Sequence, residues 1–250
     1  MSAASAPAAA CIPSRALLRA AGRALGEFRM IRPGDRLLLA LSGGKDSLTL
    51  LHILRAVQQR VQIPFELAAA TIDPCITGYD PRFLKDYLLE LGIPYHYIEQ
   101  PIIERAQQTM RNDSFCAYCA RMRRGALYRV AREGGYNVLA LGHHLDDIAE
   151  SFFMSAFHEG RLHTMRAHYV NDAGDVRVIR PMVYVRERQL IDFAREAGLP
   201  ALQDNCPACF NAPTERAHMK AWLGAEEQRH RRLFLSLRHA LRPLLGEVPE

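Results

Sequence analysis

The sequence contains very little lysine. Lys45, Lys85 and Lys220 are its only lysines, although lysine and arginine together number 32 of the 250 residues. Nearly all of the positive charge is therefore carried by arginine, whose planar guanidinium group suits contacts with phosphate. The formal net charge is +5 and the isoelectric point is about 9.0, which favours an anionic partner. A compositional bias towards arginine explains the same numbers equally well.

Long apolar runs are also absent. None approaches the roughly 20 consecutive apolar positions that cross a bilayer, so the sequence predicts no membrane span and a cytoplasmic location. Residues 1–26 lack acidic side chains and carry three arginines, which is loosely similar to an organelle transit peptide. We predict instead a flexible start followed by a surface helix from about residue 14 to residue 28.

The sequence has only six cysteines, and the spacing of four of them is informative. A chain of this length with 49% hydrophobic residues buries a core without disulfides. Four of the six cysteines form two Cys-x-x-Cys pairs, which indicate metal or redox chemistry. Zinc held by four thiolates and an iron–sulfur cluster both fit, and the spacing alone does not separate them. The cysteines are Cys11, Cys75, Cys116, Cys119, Cys206 and Cys209.

Strand and helix patterns alternate along most of the chain. This alternation predicts an α/β fold, a Rossmann-like parallel sheet wrapped by helices, with extra helices at both ends. We divide it into a flexible start with a helix (1–30), a main domain (31–213) and a helical extension (214–250). The segment 158–176 is predicted to be a loop or hairpin, and 204–213 a loop. Strands are predicted at 37–41, 66–72, 94–98, 137–141 and 177–180, and helices at 47–59, 81–91, 117–133, 146–157, 187–197 and 214–243.

The segment Ser42–Ser47 reads Ser-Gly-Gly-Lys-Asp-Ser between two apolar runs. It predicts a glycine-rich turn between a buried strand and a helix. Glycines let the backbone approach an anion, and N–H groups at a helix N-terminus attract negative charge. The spacing differs from that of the Walker P-loop. We interpret the turn as a phosphate site, with an ordinary strand-to-helix turn as the less favoured alternative.

Two more segments follow predicted strands. Asp73 comes after the strand that ends at Ile72, and residues 142–147 (Gly-His-His-Leu-Asp-Asp) follow the strand that ends at Leu141. Ligands bind beyond the carboxyl ends of the strands in open sheets of this kind. The sequence therefore predicts that these segments and the turn Ser42–Ser47 meet at one edge.

The residues in 142–147 allow two interpretations. Asp146 and Asp147 open a predicted helix, where acids cap the backbone and complement the dipole. Carboxylates beside nucleotide phosphates also bind Mg2+, and one aspartate can cap while the other faces the site. Either preceding histidine is a candidate acid–base group, although a structural role is at least as consistent.

With these motifs assembled, the chain resembles the tRNA 2-thiocytidine synthetase (TtcA) family of PP-loop ATP pyrophosphatases. The resemblance runs from about residue 32 to residue 209, and the ordered set is far more specific than the PP-loop alone. Its motifs are Ser42–Ser47, Cys116-x-x-Cys119 with 121–125, 142–147, 153–165, Ile179-Arg180-Pro181-Met182 with Arg186-Glu187, and Cys206-x-x-Cys209.

The resemblance implies a fold similar to that of the adenine nucleotide alpha hydrolases, and an ATP-dependent reaction. ATP adenylates the C2 oxygen of a cytidine at position 32 of the tRNA anticodon loop, and sulfur then displaces AMP. The implied cofactors are ATP, Mg2+ and a [4Fe-4S] cluster held by Cys116, Cys119 and Cys206, with Cys209 as the alternative third ligand. The implied partners are tRNA, a sulfur donor such as a cysteine desulfurase, and a second copy of the chain in a homodimer.

The resemblance also assigns roles to individual residues. Lys45, Asp46 and Asp147 are implied to be catalytic. The implied ATP-binding residues are Ser42, Gly43, Gly44, Lys45, Asp46, Ser47, Ile72, Gly142 and Asp147.

Two other functions are consistent with the same residues. The chain departs from the family after Cys209 and after Ile72, which bears on the substrate more than on the chemistry. One alternative is therefore a PP-loop enzyme that thiolates or amidates another nucleoside or a small molecule. The other is a zinc-stabilised RNA-binding protein without catalytic activity.

Overall fold

A six-stranded sheet forms the centre of the protein. The computed structural model describes residues 11–60, 63–76, 78–109, 115–202 and 214–246. The strand order is β3-β2-β1-β4-β6-β5, and every neighbouring pair is parallel except the β5–β6 edge. The strands are β1 Asp35–Ala40, β2 Phe65–Asp73, β3 Tyr95–Glu99, β4 Val138–Ala140, β5 His168–Val170 and β6 Arg177–Ile179.

Nine α-helices surround this sheet in the described part of the chain, together with a π-helical turn at Ser155–Glu159 and a 3-10 turn at Arg242–Leu245. No helix in these ranges combines the length and apolarity that a bilayer crossing requires. The α-helices are α1 Arg15–Glu27, α2 Lys45–Arg60, α3 Leu84–Glu90, α4 Ile102–Thr109, α5 Phe115–Glu133, α6 Leu145–Met154, α7 Glu187–Glu196, α8 Glu215–Arg229 and α9 Leu233–Leu241.

Side-chain alternation along β1 divides the core into two layers. Leu37 and Leu39 point into the larger layer, whereas Leu38 points into the smaller one under α5. Residues of α1, α8 and α9 also bury apolar side chains in the larger layer. The helices at both ends of the chain therefore share the core of the sheet, and the three-part division of the chain stays a prediction.

The predicted α/β class and the predicted strands are confirmed, and two details differ. The predicted helix 214–243 is two helices, because the backbone leaves helical geometry at His230 (φ −128°, ψ 84°). The turn directs α9 onto α6, where Phe234 lies 3.3 Å below the Arg186 guanidinium. The helix α4 was not predicted. The segment 158–176 supplies the edge strand β5, in line with the predicted hairpin.

A buried carboxylate joins the amino ends of three strands. Asp35 is 3% exposed, and its Oδ2 accepts the Arg32 N–H at 2.7 Å. Its Oδ1 accepts the Asn137 side-chain amide at 3.0 Å and the guanidinium of Arg177. Because Asn137 precedes β4 and Arg177 begins β6, this carboxylate aligns both strands with β1.

We expect Asp35→Ala to lower the free energy of unfolding by about 3–5 kcal/mol, because it leaves a largely buried guanidinium without its carboxylate. Urea denaturation measures the change. The matched control is Glu66→Ala, which removes the exposed partner of Arg36 at 2.8 Å and should change stability much less. An equal loss in the two variants would contradict this account of the sheet.

Candidate active site

The turn Ser42–Ser47 lies where β1 meets α2, as predicted. The Ser47 hydroxyl donates to the Gly44 carbonyl at 3.0 Å and lies 3.2 Å from the Ser42 hydroxyl. Gly43 has a φ of +80°, and a Cβ there would lie 2.9 Å from the Leu202 side chain. A side chain at this position would strain the backbone and crowd Leu202, so the position requires glycine. The first N–H groups of α2 are left facing the carboxyl edge of the sheet.

Lys45 is held by carboxylates from its own helix and from α7. Its Nζ lies 3.2 Å from Asp46 Oδ2 and 3.0 Å from Glu187 Oε1, and Lys220 binds the same glutamate at 2.7 Å. Burial alone would lower the pKa of Lys45, but the two carboxylates outweigh it and raise that pKa above its ordinary value. Lys45 therefore stays protonated at neutral pH.

The two aspartates that open α6 have different surroundings. Asp146 Oδ2 accepts the Glu187 N–H at 2.7 Å, and both carboxylate oxygens accept from the Arg186 guanidinium at 3.1 and 3.2 Å. Asp147 accepts the His144 N–H at 2.9 Å and pairs with Arg216. The two roles are not divided between the aspartates as predicted: Asp147 both caps α6 and lines the cavity described below, whereas Asp146 fastens α6 to α7.

The pKa values of the adjacent His143 and His144 are shifted in opposite directions. Burial lowers the pKa of His144, but Asp146, Asp147 and Asp46 outweigh it and raise that pKa. Burial and the nearby Arg180 lower the pKa of His143 to about 3. The surroundings thus shift the two pKa values in opposite directions, and His143 is neutral at neutral pH.

A cavity of about 690 Å³ opens between these elements. Ile72 and Gly142, two of the predicted nucleotide contacts, lie in its wall, but Gly43 and Gly44 do not. A Cβ at Gly142 would lie 3.4 Å from Ser47 N, so this glycine lets the end of β4 approach the first turn of α2. The predicted residues that line the cavity are Ser42, Lys45, Asp46, Ser47, Ile72, Gly142 and Asp147.

Several cavity residues were not predicted as site residues. Arg216 and Lys220 come from α8, which was interpreted as an extension, and Glu187 belongs to an Arg-Glu pair given no role. Arg123 reaches the cavity from α5, and its guanidinium lies 5.8 Å from the Tyr79 ring. No local pattern marks these residues, since packing of α5, α7 and α8 alone brings them to the cavity.

Comparison with known proteins identifies the family. Residues 17–219 match the family described as the PP-loop domain. The tRNA-cytidine(32) 2-sulfurtransferase of Geobacter sulfurreducens is 42% identical over 223 residues, which cover 89% of this chain and 87% of that relative. The protein of the same name from Chelativorans sp. is 42% identical over 215 residues, covering 85% and 75%.

The chain belongs to the tRNA-cytidine(32) 2-sulfurtransferase family of PP-loop proteins. The U34-tRNA thiolase NcsA from Methanococcus maripaludis, solved with its [4Fe-4S] cluster, has a TM-score of 0.72 with this protein at 22% identity. The match covers 92% of this chain and 79% of NcsA. This likeness confirms the predicted PP-loop fold.

The predicted cluster ligands of this 2-sulfurtransferase family member are only partly described. Cys116 and Cys119 lie three positions apart in the first turns of α5. Cys119 is a half-buried thiol. Cys206 and Cys209 lie outside the described residues. Among the described side chains alone, no three are arranged to hold a metal ion. Two thiolates at this spacing fit a cluster as part of its ligand set.

Mg2+ also fits one feature of the site. Asp46 Oδ1 is buried and has no hydrogen-bond partner among the residues that the structure describes, and burial raises the pKa of Asp46 despite Lys45 and His144. An unpartnered buried carboxylate oxygen is costly unless a ligand meets it. Because Asp46 lines the cavity, a cation bridging it to phosphate oxygens would satisfy this oxygen.

Asp146 predicts an acid-sensitive contact between α6 and α7. Burial would raise its pKa, but His144, Arg186 and the Glu187 N–H hold it at about 2. A lowered pKa contributes stability above the unfolded value of about 3.9, and this stability is lost as the pH falls towards 2. We expect Asp146→Asn to lower the free energy of unfolding by about 2 kcal/mol at pH 7 and by much less at pH 3.

Urea denaturation between pH 3 and pH 7 measures the effect of Asp146→Asn. The control is Asp192→Asn, which alters an exposed i,i+3 pair with Arg195 and should show little change at either pH. A destabilisation by Asp146→Asn that is the same at both pH values would rule out the charge of Asp146 as its cause.

Proposed function

We propose that this protein is an ATP-dependent tRNA sulfurtransferase that converts cytidine 32 of the anticodon loop to 2-thiocytidine. The observation that carries this is the meeting of three family motifs at one cavity. These are the turn Ser42–Ser47, the start of α6 at His144–Asp147, and Glu187 of the Arg-Glu pair. They lie in a chain 42% identical to a tRNA-cytidine(32) 2-sulfurtransferase.

The cavity suits a nucleoside triphosphate. The α2 N-terminus offers unpaired N–H groups to phosphate oxygens, and Lys45 supplies a positive charge that is always present at neutral pH. In the proposed reaction the C2 oxygen of the cytidine attacks the α-phosphorus, and the bond to pyrophosphate breaks. Lys45 and the N–H groups stabilise the negative charge that develops on the phosphates. We assign Ser42, Gly43, Gly44, Ser47, Ile72 and Gly142 to nucleotide binding, and Asp46 and Asp147 to catalysis with Mg2+.

The second half-reaction needs sulfur. A [4Fe-4S] cluster held by Cys116, Cys119 and Cys206 would supply it from an iron that lacks a protein ligand. The structural relative NcsA carries such a cluster. Sulfur attacks C2 of the adenylated cytidine, and AMP leaves with the original oxygen. Because α5 carries both Cys119 and the cavity residue Arg123, one rigid helix would hold the sulfur source and the nucleotide in register.

The partners follow from this chemistry. The tRNA must present cytidine 32 unstacked, as is usual for enzymes that read single-stranded RNA loops. Exposed arginines at the end of α8 and in the turn that follows it, Arg229, Arg231 and Arg232, are available for the phosphate backbone. We further propose a cysteine desulfurase as the sulfur donor, a cytoplasmic location and a homodimer.

The first experiment is a nucleoside profile of tRNA by mass spectrometry, with and without this gene. We expect 2-thiocytidine to disappear on deletion and to return with the intact gene. If 2-thiocytidine is unchanged, the proposed substrate is wrong. Loss of another thionucleoside would identify the alternative acceptor.

Lys45→Gln should lower the rate of tRNA-dependent pyrophosphate release by about 100-fold, because the negative charge that develops on the phosphates loses one fixed positive partner. Lys85→Gln is the matched control, since Lys85 lies over the Tyr97 ring at 4.4 Å and outside the cavity wall. Its rate should stay within about 2-fold of the unmodified protein. Equal rates for the two variants would remove Lys45 from the mechanism.

Cys119→Ala should abolish 2-thiocytidine formation, because it removes a proposed ligand of the cluster. ATP should still bind, because Cys119 lies outside the cavity wall. Anaerobically purified protein is assayed for iron content, nucleotide affinity and thiolated tRNA. Cys75→Ser, at an exposed cysteine, should retain all three. Thiolation by Cys119→Ala at the level of the control would refute a role in the cluster.

A further inference from the structure

One hydrogen bond determines where His143 carries its proton. Arg180 Nε lies 3.2 Å from His143 Nδ1. A guanidinium group has only donors, so Nδ1 must accept and the ring proton lies on Nε2. Turning the ring over would place a ring C–H against the Arg180 N–H and lose the bond. The orientation and the tautomer of His143 are therefore both set by Arg180.

Arg180 is itself held firmly. It is 4% exposed and follows β6, and its Nη1 donates to the Arg166 carbonyl at 2.6 Å. Its backbone N–H donates to the Ala167 carbonyl at 2.8 Å, and its guanidinium lies 5.5 Å from the Tyr169 ring. These contacts fix the guanidinium from several directions, so the nitrogen facing His143 has little freedom.

His143 remains uncharged in this setting. Burial is the main cause of its low pKa, and Arg180, Arg216 and His144 act in the same direction against the weaker influence of Asp147. Its Nδ1 is occupied and its Nε2 carries a proton, so neither nitrogen can take up another proton at neutral pH. This arrangement excludes His143 as a general base.

The residue whose Nε2 carries this proton belongs to the wall of the cavity. His143 lines it, and its Nε2 has no hydrogen-bond partner within the described ranges. The preceding Gly142 brings this segment against the first turn of α2, with a Cβ position 3.4 Å from Ser47 N. His143 therefore follows directly on the point at which the end of β4 approaches the N-terminus to which phosphate is assigned.

We propose that His143 is a fixed neutral donor that binds a phosphate oxygen of the nucleotide through Nε2–H, and that Arg180 is its positioning residue. The proposal rests on the proposed function, which places ATP in this cavity. Lys45 and Arg216 already share carboxylates, whereas a neutral N–H needs no counter-ion. It adds a hydrogen bond to the phosphates without adding another charge to be paired.

Two amide substitutions separate the donor from the rest of the ring. In His143→Gln the amide nitrogen reaches the position of Nε2, whereas in His143→Asn only the position of Nδ1 is filled. Calorimetric titration with α,β-methylene ATP, without tRNA, measures the affinity. We expect His143→Gln to bind within about 3-fold of the unmodified protein and His143→Asn to bind about 10-fold more weakly.

Binding by His143→Asn as tight as that of His143→Gln would overturn the proposal and leave the proposed function intact. If the unmodified protein does not bind the nucleotide, the proposal for His143 and the proposed function are both wrong. The two variants remove the same ring, and only His143→Asn keeps an acceptor for Arg180 at the position of Nδ1, so a purely structural role for His143 would favour His143→Asn and give the opposite order of affinities.

The tautomer is tested directly by nitrogen NMR of protein labelled at histidine. We expect the neutral Nε2–H form for His143 at pH 7, and a change in its Nε2–H resonance when the nucleotide analogue is added. In Arg180→Met we expect the two neutral tautomers to mix. A charged ring or the Nδ1–H form in the unmodified protein would contradict the proposal.

Discussion

Charged groups cannot be left unpaired beside a half-buried cavity, and this constraint organises the protein around its site. Glu187 joins Lys45 of α2 to Lys220 of α8, and Asp146 of α6 binds Arg186 ahead of α7. Arg216 of α8 in turn holds Asp147 and Glu150 of α6. Four helices are thus fastened to each other, mostly by residues that also line the cavity. The same ion pairs therefore stabilise the packing of the helices and set the geometry of the site.

This sharing explains why the C-terminal helices cannot be treated as an addition. The helix α8 supplies Arg216 and Lys220 to the cavity, and Leu223 to the core under the sheet. The helix α9 places Phe234 below Arg186, whose guanidinium also pairs with Glu227 at 2.6 Å. A change in the packing of either helix would therefore alter the contacts of the carboxylates at the start of α6.

Local patterns predicted the sheet and the phosphate turn well because both depend on short stretches of sequence. Apolar runs with glycine at their ends predict strands and turns without help from distant residues. The break at His230 and the helix α4 were missed for the opposite reason. The segment 214–243 keeps a helical pattern throughout, and only the packing of Phe234 on α6 requires the turn.

The sequence by itself determined that a strand, a glycine turn and a helix N-terminus would meet at Ser42–Ser47, since this arrangement consists almost entirely of backbone. It also determined the family, because the ordered motifs are written in the chain. Only the tertiary structure decided in which direction the pKa of each of the two adjacent histidines is shifted. His143 faces Arg180, and His144 faces Asp46 as well as the aspartates of its own helix. Electrostatic surroundings depend on what folding brings within a few ångströms, and the order of residues does not reveal them.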